Sequence, residues 1–170
     1  MADIRGNPWN FTTADVSTSI AITSITRNGA RSATVVAALH GHAVNDYISI
    51  QNPSVSGWAG AYRIDSVIDA NTFTVRIEDW RSSLANAGAQ GNVLSILFPQ
   101  LAQLIEVTQM LWDGPAASAV LSLTDIMGRT VWNPTSSATA GNGTLTYMKA
   151  FPINGLVINA LPSGILQISI

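Results

Sequence analysis

Cysteine is absent from the 170 residues, so neither disulfides nor thiolate chemistry is available. Charge is scarce as well: Asp, Glu, Lys and Arg make up 11% of the chain, against roughly 25% in a typical soluble domain. Lys149 is the only lysine, and the formal net charge is −2. With no basic run to neutralise phosphates, nucleic acid is not an expected partner. No block of like charge marks a charged tail. Apolar runs fall far short of the roughly 20 residues a membrane helix needs. The opening Met1-Ala2-Asp3-Ile4-Arg5 has no apolar core of signal-peptide length. The expectation is a soluble cytoplasmic product with no membrane partner.

What is present is apolar and hydroxyl- or amide-bearing. Hydrophobic residues form 47% of the chain, and the rest is rich in Ser, Thr, Asn and Gln. Such a surface loses little charge hydration when it packs against a neighbour, and interface cores are depleted of charge in the same way. The composition suits an assembling protein and an ordinary β-domain about equally. The length fits one domain, or two small ones sharing a core.

Periodicity indicates strands. Residues 20–25, 34–39, 46–50, 62–68 and 72–77 read as strands of a first half. The last of these alternates cleanly, with Phe73, Val75 and Ile77 on one face and Thr74 and Arg76 on the other. Asn28-Gly29 and Asp69-Ala70-Asn71 are turn signals. Residues 81–92 are small and Gly/Ala-rich, a joint with room for one helical turn near 82–87. In the second half, residues 93–98, 104–112, 119–125, 129–132, 156–159 and 165–170 read as strands. Residues 136–143 read as a flexible loop. No long amphipathic helix and no βαβ alternation is evident. The predicted fold is therefore all-β, a β-sandwich or barrel-like architecture with little helix. It divides into an N-terminal arm (1–17), a β subdomain (18–92) and a second β subdomain (93–170), the last two alternatively forming one continuous sandwich. An apolar strand at 165–170 would be a sheet edge unless paired, so a cover is expected for it, with another subunit as one candidate.

Catalytic signals are weak. His40-Gly41-His42 holds both histidines. On a strand the two rings would share a face, as a metal site needs, but spacing places no third ligand beyond Asp46. A turn in which one ring bonds locally is the better reading, and no metal is expected. The ten carboxylates suggest no particular pair of the kind a glycosidase uses. Nucleophile-elbow, phosphate-loop and dinucleotide motifs are missing. No catalytic residue, cofactor or enzymatic activity is predicted. Of the five tryptophans, Trp80 and Trp112 end strands and read as core covers. Trp58 lies in a Gly-rich loop and reads as an exposed anchor for a protein or a sugar. Trp9 and Phe11, in the arm, complete the candidate interface of Trp9, Phe11 and Trp58.

One stretch resembles a family. It runs His40-Gly41-His42, Asp46-Tyr47-Ile48-Ser49-Ile50, Gly60-Ala61-Tyr62-Arg63-Ile64 and Val67-Ile68-Asp69-Ala70-Asn71-Thr72-Phe73-Thr74-Val75. A His-Gly turn, an Asp-led strand, a Gly-x-Tyr strand and a Thr-Phe-Thr strand resemble the β-modules of tailed-bacteriophage structural proteins, including capsid decoration or cement proteins. Usual forms of the block carry Leu and Gly where this chain has His42 and Asn45. A second, looser likeness runs through Leu123-Thr124-Asp125, Gly128-Arg129-Thr130-Val131-Trp132 and Gly155-Leu156-Val157-Ile158. The resemblance implies a non-enzymatic virion component on the capsid surface. Its implied partners are the major capsid protein and further copies of itself, a homo-oligomer such as a trimer. A tail, neck or fibre component and a carbohydrate-binding host-recognition module are the alternatives.

Overall fold

The computed structural model describes residues 9–77, 84–96, 104–136, 145–147 and 151–169. The strands of the N-terminal part are β1 (Trp9–Phe11), β2 (Ser19–Ala21), β3 (Ser24–Arg27), β4 (Ser32–Val36), β5 (Tyr47–Gln51), β6 (Gly60–Asp69), β7 (Thr72–Arg76) and β8 (Asn92–Ile96). Those that follow are β9 (Leu104–Val107), β10 (Gln109–Asp113), β11 (Ser122–Thr124), β12 (Thr130–Trp132), β13 (Leu145–Tyr147), β14 (Phe151–Asn154), β15 (Val157–Ala160) and β16 (Ile165–Ser169). Helix among the described residues is confined to two single 3₁₀ turns, Thr13–Asp15 and Ser56–Trp58. The all-β prediction therefore stands. The sheets are open rather than closed into a barrel.

Seven strands form the largest sheet, in the order β2-β8-β5-β6-β7-β4-β3. The ten-residue β6 turns its corner. Its first half pairs with β5, its second half pairs with β7, and the register shifts between Ile64 and Ser66 and again between Val67 and Asp69. Bulges of this kind bend a strand and let it serve two sheet directions. The β6–β7 hairpin closes where Asn71 N donates to Asp69 Oδ1 at 2.7 Å. The bend wraps one core, in which Ile25, Val35, Ile48, Ile50, Phe73 and Val75 are fully buried. The second core gathers Phe11, Leu94, Met110, Trp112, Leu123, Leu166 and Ile168. It lies among a four-stranded sheet, β1-β16-β10-β13, a three-stranded sheet, β12-β11-β15, and the pair β14-β9.

The two cores meet within one strand. Val93 belongs to the first and Leu94 and Ile96 to the second, because successive residues of β8 point to opposite faces. On the neighbouring β5, Ile48 and Ile50 face the first core, and the alternate Ser49 and Gln51 face the second half. Ser49 is 0% and Gln51 5% exposed, so both need hydrogen-bond partners. Ser49 Oγ donates to Ile126 O at 2.7 Å, and Gln51 Nε2 donates to Thr124 Oγ1 at 3.0 Å and Asp125 O at 3.2 Å. This polar seam ties the halves together. β5 and β8 are structural members of both.

Several predicted elements need correction. The strand predicted at 20–25 is two strands, β2 and β3. The one predicted at 104–112 breaks at Thr108, whose N–H donates to Ser169 O at 2.9 Å. There the chain leaves the pairing with β14 and joins β16. The described part of the predicted arm is not an arm: β1 pairs with β16 in the register Phe11↔Leu166. The last strand, lying between β1 and β10, is thus covered by its own chain. Residues 84–91 form no helical turn, and Ala87 instead makes an isolated bridge to Ile25. Residues 82–83, the predicted loop at 137–143, Trp80 and Ile170 lie outside the described residues.

Candidate functional site

The histidine turn follows β4. Leu39 adopts φ +52, a left-handed conformation uncommon for a bulky side chain. It is held there by its own N–H, which donates to Asn71 Oδ1 at 2.9 Å, and by His40 N, which donates to Ala70 O at 3.0 Å. The turn is thereby clamped onto the β6–β7 hairpin. His40 is 4% exposed. Its Nδ1 accepts from His42 N at 3.0 Å and its Nε2 lies 3.0 Å from Asp69 O. The backbone N–H at one nitrogen and the carbonyl at the other assign the ring proton to Nε2, which donates to Asp69 O. His42 stacks on His40 with ring centroids 5.6 Å apart, and both rings make T-shaped contacts with Phe73. Burial pushes the His42 pKa down and His40 pushes it the same way, against a smaller upward pull from Asp46. The His42 Nε2 is buried without a hydrogen-bond partner among the described residues.

As placed, the His pair does not form a chelate. Both His40 nitrogens are engaged by backbone; on His42, Nδ1 lies 4.0 Å from Asp46 Oδ2 and Nε2 has no partner among the described residues. Groups of three or more His, Cys, Asp or Glu are not found together among the described residues. What the turn does form is an apolar hollow of about 350 Å³, lined by Leu39, His40, His42, Val67 and Ala70 among others. Leu39 is 79% exposed and Val67 37%. Ile68, which follows Val67 in the chain, and Val44, five residues after Leu39, are exposed as well.

The candidate anchors behave differently. Trp58 is fully buried. The 3₁₀ turn tucks its indole inward, where Nε1 donates to Ala85 O at 2.8 Å, and Tyr62 Oη donates to Trp58 O at 2.8 Å. The exposed-anchor reading of Trp58 is therefore wrong. Phe11 is 1% exposed and also belongs to the core. Trp9 is half-buried, packed against the second core and edge-on to Phe11 at 6.3 Å. The three do not form one surface. The histidine turn displays apolar side chains together with its neighbours on β6, while Leu104, Val120 and Ile165 are exposed elsewhere; the sequence reading weighed that turn as a metal site and as a locally bonded turn, not as an apolar surface.

The carboxylates mostly serve local turns. Asp15 caps the first 3₁₀ turn through Thr12, Asp46 accepts from Ala43 N at 2.7 Å, and Asp69 shapes its hairpin. Asp125, 4% exposed, accepts from Met127 N and Arg129 N at 2.9 Å each and from Arg129 Nε at 2.6 Å. Near that turn, where the two halves meet, runs a second and larger depression of about 650 Å³.

No family model matches this chain, and neither a curated protein nor a solved structure shows detectable similarity to it.

Proposed function

We propose that the chain is a non-enzymatic structural protein of a bacteriophage virion, a decoration or cement protein that binds the capsid shell through the hollow around Leu39. The observation that carries this reading is Leu39 itself. A leucine in the left-handed region costs roughly 1–2 kcal/mol. This one spends that energy to hold an apolar side chain 79% in solvent. Residues kept in costly conformations cluster at functional sites, and exposed apolar surface marks contact sites. Val67 shares the hollow. Burying one Leu and one Val side chain is worth about 1.5–3 kcal/mol each, too little for a tight single contact once association costs are counted. Repetition over a shell lattice supplies the remainder through effective concentration. The two fused cores suit such a role, since a clamp must transmit load between neighbours without opening. The low charge and the resemblance of the His40–Val75 stretch to phage β-modules support the same reading.

Cosedimentation of the purified chain with particles that lack it tests this directly. Wild type is expected to pellet with the particles. Leu39→Asp and Val67→Asp, both at exposed positions, are expected to keep the wild-type melting temperature and lose at least tenfold in binding. Wild type that stays in the supernatant contradicts the proposal.

A further inference from the structure

The larger depression lies away from the proposed shell contact. It is built by four separate segments: the loop after β5, the loop before β8, the β11–β12 turn and the end of β14. Its floor is apolar, with Pro53 and Ala59 buried and Met127 half-buried. Its walls are polar: Asn52, Gln90, Asn154 and Arg129 all line it and are exposed. Among the described residues that line it, Arg129 is the one that carries a charge and none is a carboxylate.

Two features distinguish this groove from ordinary polar surface. Arg129 is oriented: its Nε is bonded at 2.6 Å to a carboxylate that is itself 5% exposed, while the arginine side chain is 71% exposed. That bond engages Nε, and the side chain that carries the terminal nitrogens lines the groove. Asp125 is fixed in turn by two backbone N–H groups, so the arginine stands on a rigid base. The side-chain amides of Asn52, Gln90 and Asn154 make no hydrogen bond to any described residue. Three amides, each able to donate and accept, thus line the same groove as one ion-paired arginine. A volume of about 650 Å³ lies within the roughly 300–1,000 Å³ of small-molecule sites.

We infer that this groove binds a carboxylated sugar, with Arg129 pairing to the carboxylate and the amides of Asn52, Gln90 and Asn154 reading the ring hydroxyls. A guanidinium matches a carboxylate's two oxygens by geometry. Amides match hydroxyls because both donate and accept. A peptide carboxylate would pair with the arginine but bring few hydroxyls for the amides, and a neutral sugar would offer the terminal guanidinium nitrogens no pair of anionic oxygens. The apolar floor accepts a C–H face of the ring. The ligand fits a uronic-acid or sialic-acid unit of an acidic surface polysaccharide. This inference stands apart from the shell contact, which uses different residues.

The test is a two-dimensional NMR titration of the labelled full chain with D-glucuronate, D-glucose and acetate. Glucuronate at millimolar concentration is expected to shift the side-chain amide signals of Gln90 and Asn154 and the backbone signals of Met127 and Arg129. Glucose and acetate are expected to act at least tenfold more weakly. Arg129→Gln should weaken glucuronate at least tenfold. Because that variant also disturbs Asp125, Gln90→Ala and Asn154→Ala provide independent checks, each expected to weaken binding several-fold with an unchanged melting temperature. Absence of shifts with glucuronate overturns the inference. Acetate acting as strongly as glucuronate also overturns it, by showing a site for carboxylate alone.

Discussion

Replacing Ser49 by alanine probes the seam between the two cores. The hydroxyl is completely buried and donates to Ile126 O at 2.7 Å. Ser→Ala removes one oxygen and creates almost no cavity, so packing changes little. What changes is hydrogen bonding: the bond disappears, and a carbonyl on the other half loses its donor inside the protein. Leaving a buried acceptor unpaired costs about 1–3 kcal/mol. With a urea slope of about 2 kcal/mol/M, the unfolding midpoint should fall by roughly 0.5–1.5 M. The assay is urea unfolding followed by tryptophan fluorescence, with Trp58 in the first core and Trp112 in the second. Because β5 and β8 each serve both cores, one transition is expected in wild type and variant, with the same slope. Two separated transitions, or a midpoint unchanged within error, would refute the claim that the seam joins the halves into one cooperative unit.

Further expectations concern single residues. The lowered His42 pKa means that the unfolded chain binds a proton more readily than the folded one. Stability from this residue is therefore complete above the ordinary histidine value of 6.5 and is lost as pH falls from there toward the folded-state value. His42→Gln should flatten the fall in urea midpoint between pH 8 and pH 5 relative to wild type. Gly91→Ala would place a Cβ 2.4 Å from Gln51 O at φ +86, so a loss of about 2–4 kcal/mol is expected in chemical denaturation. Gly29→Ala, at φ +100 with nothing within 4 Å, should cost only about 1–2 kcal/mol. Trp58→Ala should cost about 3–5 kcal/mol as a core truncation, read by the same denaturation.

Much of the strand pattern was legible because alternation reports burial. Thr72–Arg76 was read with its correct inward face, and Asp69-Ala70-Asn71 with its turn. Three strands went unread, β1, β13 and β14. They are three or four residues long, too short to show a period, and β14 contains Pro152. The break at Thr108 was hidden because both flanking segments favour strand; only a hydrogen bond from a distant chain segment separates them. Ser49 and Gln51 alternate with Ile48 and Ile50 as on a half-solvated strand, and nothing local says that a second core covers the polar face. Trp58 misled for a related reason. A Gly-rich loop permits exposure, but the 3₁₀ turn aims the indole inward. Of the two surface sites, the histidine turn was visible as a motif, though for its rings rather than for Leu39. The groove could not be seen, since Asn52, Gln90, Arg129 and Asn154 share no spacing and meet only through tertiary packing.

The proposed place of this protein is the virion shell. The copy number of the chain in purified particles, measured by quantitative mass spectrometry against the major capsid protein, tests it most directly. A ratio between one to one and one to a few is predicted. A ratio of a few per hundred would contradict a shell location and indicate a tail or neck, and absence from particles would contradict a virion role altogether.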